Sequence, residues 1–204
     1  MQPTRTLTAH CTLSHPADGQ PLLTINNEHA KAEISLFGAH VLRYQRHGEP
    51  ASLWLSDKAV LDGSKPIRGG IPLCWPWFGP APARVGSGKP AHGFARTSLW
   101  TLDGVSDHGD GTLVHLSLRD TDASRALWPH AFELELDVLV GKELSLVLTT
   151  RNTGKTPLTY NAALHTYLQI SAPEAVSVTG LGEPYADKLT GQDGQQQGAL
   201  TLTA

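Results

Sequence analysis

The clearest pattern along the chain is an alternation of hydrophobic and polar residues with a period of two. It runs over residues 132–140, where acidic residues separate the apolar ones, and resumes over 144–148 after Gly141-Lys142. Such alternation places one face of a β-strand on a core and the other in water. The two runs and their turn predict a β-hairpin. Its predicted core-facing residues are Phe132, Leu134, Leu136, Val138, Val140, Leu144, Leu146 and Leu148.

Shorter runs and turn signals predict further strands, whereas helix is scarce. One short helix is expected from Asp122, as its N-cap, through Ala126, since Pro129 must soon end it. Gly38 predicts a bend after the strand that precedes it. Many short strands separated by turns predict an all-β chain, an antiparallel β-sandwich with residues 1–204 as one domain. The other predicted strands are Leu22–Ile25, Ala32–Leu36, Ser52–Leu55, Trp100–Leu102, Val114–Leu118, Tyr160–Ile170, Val176–Thr179 and Leu200–Thr203.

Charge and composition narrow the classes of partner. The net charge is −3, and no run of lysine and arginine is present, which argues against nucleic acid and acidic membrane surfaces. No stretch approaches the roughly 18 apolar residues of a membrane span. Cys11 and Cys74 have no metal or redox spacing, and the histidines have no metal-ligand spacing, so no metal or cofactor is predicted. We expect a cytoplasmic protein with reduced thiols.

Three segments concentrate residues that could carry chemistry. Residues 64–80 combine paired glycines, prolines and the aromatic residues Trp75, Trp77 and Phe78, on which the C–H face of a sugar could lie. The alternative is a rigid loop whose aromatics cap the core. Residues 90–96 and 161–168 are the other two segments.

Cationic and titratable side chains stand in these segments. Arg68 and Arg96 could each hold phosphate oxygens through two hydrogen bonds, although exposed arginines are also common at ordinary surfaces. His165 lies among apolar neighbours and could donate a proton near neutral pH, although a histidine in a strand is often structural. No serine-hydrolase elbow or nucleotide-binding loop is present in the sequence.

Three motifs in order strongly resemble the hexose-6-phosphate mutarotase family, a group of galactose-mutarotase-like β-sandwiches. The resemblance covers roughly residue 30 to the end of the chain. The motifs are Ile67-Arg68-Gly69-Gly70-Ile71-Pro72 with Trp75-Pro76-Trp77-Phe78-Gly79, His92-Gly93-Phe94-Ala95-Arg96, and Leu164-His165-Thr166-Tyr167.

The resemblance implies an isomerase that interconverts the anomers of a hexose 6-phosphate. We expect no cofactor; the sequence leaves the oligomeric state open, and a monomer is the expectation. His165 would be the general acid that protonates the ring oxygen of the sugar. Arg68 and Arg96 match substrate-binding positions, in particular for the 6-phosphate. His92 and Trp75 are also expected to bind the substrate.

The catalytic base is expected outside the printed sequence. In the family it is a glutamate well beyond the third motif, and no residue after Thr179 matches it. We therefore expect a C-terminally truncated sandwich with poor activity. Two alternatives stay open at this point: a non-catalytic β-sandwich that binds carbohydrate or sugar phosphate, and an aldose 1-epimerase for unphosphorylated sugars.

Overall fold

Two antiparallel sheets form most of the molecule. The structure is a computed structural model that describes residues 3–181, 184–187, 190–195 and 198–201. It divides into two compact units, Met1–Leu168 and Gln169–Ala204. The strands are β1 (Arg5–Thr6), β2 (Cys11–Ser14), β3 (Leu22–Asn26), β4 (Ala30–Ser35), β5 (His40–Arg46), β6 (Leu73–Cys74), β7 (Thr101–His108), β8 (Gly111–Arg119), β9 (Phe132–Gly141), β10 (Leu144–Asn152), β11 (Ala163–Leu164), β12 (Ser177–Val178), β13 (Pro184–Ala186), β14 (Asp193–Gln195) and β15 (Leu200–Thr201).

The first unit is a β-sandwich. One sheet has the sequential order β1-β2-β3-β4-β5, the other has the order β10-β9-β8-β7, and β6 pairs with β11 apart from both. The helix α1 (Asp122–Leu127) joins β8 to β9, and two 3-10 turns lie at Ala83–Val85 and Ala95–Thr97. The all-β prediction is confirmed.

The second unit contains short strand pairs. Within it, β12 pairs with β15 and β13 pairs with β14, both antiparallel, and a 3-10 turn covers Pro173–Ala175. The predicted strand over 200–203 is described only as far as Thr201, since residues 202–203 lie outside the described ranges. The expectation of one domain over 1–204 stays a prediction.

The core lies between the two large sheets, where the period-two pattern placed it. All five predicted core residues of β9 are buried, and those of β10 pack partly buried against the same core. Leu144 pairs with Val140, so the predicted hairpin is confirmed. From the facing sheet, β3, β4 and β5 contribute Leu23, Ile25, Ala32, Ile34, Val41 and Tyr44.

A buried amide ties the two sheets together. Asn27, between β3 and β4, donates from Nδ2 to Thr112 Oγ1 at 3.1 Å and to the Val140 carbonyl at 2.7 Å. Its Oδ1 accepts from the backbone N–H groups of His29 and Ala30. All four hydrogen bonds of this buried amide are made, and each has a preferred direction. Asn27 therefore fixes the position of β3 and β4 relative to β8 and β9.

Several predicted elements differ from the observed ones. Residues 52–55 form isolated bridges at Leu53 and Leu55 rather than a strand, and of the predicted Tyr160–Ile170 strand only β11 forms. The segment facing β11 contains Pro72 and Pro76, which have no N–H to donate, so the ladder cannot extend. Strands β1, β2, β5, β6, β13 and β14 were not predicted.

Local signals at the turns were closer to the structure. Thr121, rather than Asp122, caps α1, because its hydroxyl oxygen accepts from the Ser124 N–H at 3.1 Å. Gly38 has a φ of +82° and turns the chain from β4 into β5, as its position predicted. In the described part of the chain, no helix has the length and apolarity that crossing a membrane requires.

Replacing Asn27 with alanine should destabilise the protein by about 2–3 kcal/mol, because the Val140 carbonyl and two backbone N–H groups would lose their buried partner. Urea unfolding followed by tryptophan fluorescence measures this loss. Asn26→Ala, at the exposed neighbouring position, is the matched control and should change the stability by less than about 0.5 kcal/mol. Equal effects of the two substitutions would contradict the assigned role.

Candidate functional site

A short strand pairing brings distant parts of the sequence to one place. Where β11 pairs with β6, the His165 N–H donates to the Pro72 carbonyl at 3.0 Å. Tyr167 donates to the Gly70 carbonyl at 2.9 Å, and its own carbonyl accepts from the Trp54 N–H at 2.9 Å. The third motif therefore lies directly against the first.

The His165 ring is half-buried among other rings. Its centroid lies 4.9 Å from that of Tyr167, 5.9 Å from that of Phe78 and 6.1 Å from that of His92. Neither ring nitrogen of His165 hydrogen-bonds to a residue of the described ranges. An imidazole held by ring contacts but without a protein partner can exchange a proton with a bound molecule.

His92 is held in one tautomer by the backbone. Its Nδ1 accepts from the Gly79 N–H at 3.1 Å, and its own N–H donates to the Gly79 carbonyl at 2.7 Å. Because an acceptor nitrogen carries no proton, the neutral ring bears its proton on Nε2. His92 therefore presents a hydrogen-bond donor beside Phe78, whose ring centroid lies 5.0 Å away.

The residue after His92 must be glycine. Gly93 has a φ of +68°, and a Cβ there would lie 2.0 Å from the Trp75 carbonyl oxygen. That carbonyl accepts from the N–H groups of Phe94 and Ala95 at 3.0 and 3.2 Å. The close approach of the two backbones at Gly93 thus locks the second motif onto the first.

Arg68 is exposed and rests on an aromatic side chain. Its Cζ lies 6.0 Å from the centroid of the Trp54 ring, which in turn lies 5.8 Å from that of Tyr167. The Gly70 N–H donates to the Trp54 carbonyl at 2.7 Å. A guanidinium over an aromatic face gains cation–π attraction and keeps its donors available.

Arg96 is half-buried and partly held by the protein. Its Nη2 donates to the Ala91 carbonyl at 3.0 Å, next to His92 in the sequence. Its Nε is buried and has no hydrogen-bond partner among the residues that the structure describes. Burial raises the pKa of the nearby Cys74 thiol, and the positive charge of Arg96 opposes that rise.

The structure brings most of the predicted site residues together. His92 and His165 are in ring contact, Arg68 is linked to His165 through Trp54 and Tyr167, and Arg96 is hydrogen-bonded to the loop that carries His92.

Trp75 is the exception, and its predicted contact with substrate is wrong. The side chain is 0% exposed and packs against Phe94, Trp128, Phe132 and Tyr160. Trp77 is also buried, whereas Phe78 is 38% exposed and contacts both histidines. The aromatic surface beside the histidines is therefore supplied by Phe78.

Sequence reasoning assigned no role to Trp54, Tyr167 or His40. Tyr167 carried a usable signal, because it follows His165 by two residues and such residues share one face of an extended chain. In the described ranges, no group of three or more histidine, cysteine or acidic residues could hold a metal ion.

The two-sheet antiparallel sandwich is the fold of mutarotase-like proteins. The fold of this chain matches a Salmonella typhimurium structure titled "a putative mutarotase", with a TM-score of 0.89 and 33% identity, over 98% of this chain and 66% of that one. The chain belongs to the aldose 1-epimerase family, whose model matches residues 21–197. The predicted family and fold class are confirmed.

Curated relatives lie in the same family. A protein of Escherichia coli strain K12 named "putative glucose-6-phosphate 1-epimerase" is 38% identical over 172 residues, 84% of this chain and 56% of the relative. A Salmonella typhimurium protein of the same name is 35% identical over 184 residues, 90% of this chain and 59% of the relative. The chain thus spans less than two thirds of the length of these relatives.

Gly93→Ala should destabilise the protein by more than the substitution of an unobstructed glycine with a similar φ. Gly88 is that matched control, since its φ is +75° and nothing lies within 4 Å of an added Cβ. Gly88→Ala should cost about 1 kcal/mol for the left-handed conformation alone. Gly93→Ala adds the overlap with the Trp75 carbonyl and should cost at least about 3 kcal/mol. Thermal and urea unfolding measure both, and equal costs would contradict the assigned backbone lock.

Proposed function

We propose that this site interconverts the α and β anomers of a D-hexose 6-phosphate, the reaction of a glucose-6-phosphate 1-epimerase. The names of the curated relatives support the reaction class. The observation that carries the proposal is His165, whose imidazole is held between Tyr167, Phe78 and His92 and is unpaired with described residues.

The reaction needs two proton transfers. His165 donates a proton to the ring oxygen of the sugar while a base removes the proton of the anomeric hydroxyl, so the C1–O bond of the ring breaks and an aldehyde forms. Rotation about the C1–C2 bond and closure by the reverse transfers give the other anomer. A positioned acid or base contributes about 10²–10⁴-fold. The expectation that the base is a glutamate stays a prediction.

The phosphate would be bound by the arginines. Guanidinium groups match the oxygens of a phosphate with paired hydrogen bonds, and such charge-assisted bonds are stronger than neutral ones. Arg68 is exposed over Trp54, and Arg96 approaches the same histidine loop through Ala91. We assign both to the 6-phosphate.

The sugar ring would lie against Phe78. Its exposed ring offers apolar surface for C–H groups, and we assign His92, whose ring centroid lies 5.0 Å from that of Phe78, to the sugar hydroxyls. In this arrangement His165 acts on the ring oxygen and His92 binds. A small sugar phosphate is the proposed ligand, whereas the cytoplasmic location and the monomeric state stay predictions.

His165→Asn should lower the protein-dependent rate of anomer exchange by about 10²-fold or more, because the amide cannot deliver the proton. Exchange NMR on glucose 6-phosphate, with the spontaneous rate subtracted, measures this for the 204-residue chain. His115→Asn is the matched control and should leave the rate unchanged, since His115 on β8 pairs with Asp137 on β9. Binding of glucose 6-phosphate with an exchange rate that His165→Asn does not change would instead support a non-catalytic sugar-binding sandwich.

Arg68→Ala should raise the KM for glucose 6-phosphate by about 10- to 100-fold, the equivalent of losing one hydrogen bond between charged groups. Exchange of unphosphorylated glucose should not change. Arg119→Ala, at an exposed position on β8 paired with Glu133, is the control. If glucose and glucose 6-phosphate are exchanged at equal rates, and Arg68→Ala changes neither rate, an aldose 1-epimerase for unphosphorylated sugars is favoured.

A further inference from the structure

The turn from β4 into β5 packs against the backbone that carries Arg96. The Gly38 N–H donates to the Ser98 carbonyl at 2.7 Å, and a Cβ on Gly38 would lie 2.6 Å from the carbonyl oxygen of Arg96. Phe37 and Leu99 form an antiparallel bridge beside this contact. The turn therefore supports the Arg96 backbone directly.

The same turn packs on its other side against the loop that carries Arg68. Ile71 donates to the Val41 carbonyl at 2.9 Å. A Cβ on Gly70 would lie 2.3 Å from that carbonyl and 2.9 Å from His40 Nε2. Residues 38–41 are thus in contact with both arginine-bearing segments.

His40 is the polar side chain at this junction. It is 0% exposed, and its Nε2 lies 2.7 Å from the Gly69 carbonyl, the residue next to Arg68. Because a carbonyl only accepts, Nε2 must carry the proton, and in the neutral ring Nδ1 holds a lone pair. Nδ1 is buried without a hydrogen-bond partner in the described structure.

The ring is neutral because of its surroundings. Burial lowers the pKa of His40 to about 4, the hydrogen bond to Gly69 acts in the opposite direction, and the charge of Arg96 lowers the pKa further. Gly69 and Arg96 are the groups that act on this imidazole. A neutral donor at this position can hold the Gly69 carbonyl without repelling the guanidinium.

We propose that His40 is a positioning residue that holds the Arg68 segment in place for a sugar phosphate through the Gly69 carbonyl, beside the turn at Gly38 that supports Arg96. The inference rests on the proposed function, since it assigns His40 to the phosphate half of that site. Because His40 is fully buried, it would act through Gly69 and not by contact with the substrate.

The test is steady-state exchange of glucose 6-phosphate by variants of the full chain. His40→Leu should raise KM by roughly tenfold or more, because small misplacements of binding groups cost up to about 10²-fold, while kcat stays within about twofold. His40→Gln, whose amide N–H can reach the Gly69 carbonyl, should recover most of the affinity. His40→Asn, which is shorter, should not. His115→Leu is the matched control.

The outcomes separate the two proposals. Wild-type KM in folded His40→Leu would overturn the role of His40 and leave the proposed function intact. A fall in kcat together with a rise in KM, neither of them reversed in His40→Gln, would show that His40 has a merely structural role. If His40→Leu does not fold, the difference in KM between the glutamine and asparagine variants decides, and equal values overturn the inference. If the unmodified chain neither binds glucose 6-phosphate nor exchanges its anomers, the proposed function and this inference both fail.

Discussion

The site depends on one short pairing between β6 and β11. It joins Leu73–Cys74 to Ala163–Leu164, about ninety residues away in the sequence, and no regular ladder extends it. Pro72 and Pro76 flank β6 and supply carbonyls but no N–H groups, so the chain beyond β11 bonds to loop carbonyls instead. This places His165 and Tyr167 over the glycine loop rather than within a sheet. Their side chains consequently reach the aromatic and cationic residues of both other motifs.

Aromatic packing connects this pairing to the core. Trp75, directly after β6, is packed between Phe94 and the core residues Trp128 and Phe132. Three residues later Phe78 is exposed beside His92. One rigid proline-containing segment therefore anchors itself in the core with its first aromatic residue and presents its last one to solvent. The same covalent segment sets both the stability of the site and its exposed surface.

Elements whose sequence alternates with a short period were predictable, whereas the positions of side chains that tertiary contacts fix were not. The β9–β10 hairpin follows from its alternation, and the motifs identified by family resemblance do meet around His165. In the aperiodic segment 72–80 nothing in the sequence decides which aromatic turns inward, so Trp75 was assigned wrongly. His40 was missed because one histidine at the start of a strand carries no signal until the Gly69 carbonyl is seen beside it.

In the proposed site the two arginines are not equivalent. Arg96 already donates to Ala91, and its backbone is fixed against Gly38, so ordering it around an anion costs little conformational entropy. Arg68 is exposed and restrained by Trp54 through a cation–π contact worth about 0.5–1 kcal/mol at such a surface. Arg96 would then set the position of the phosphate, while Arg68 closes on it. The affinity for a phosphate should therefore depend most on how strongly Arg68 is restrained. The loop held by His40 and Trp54 provides that restraint.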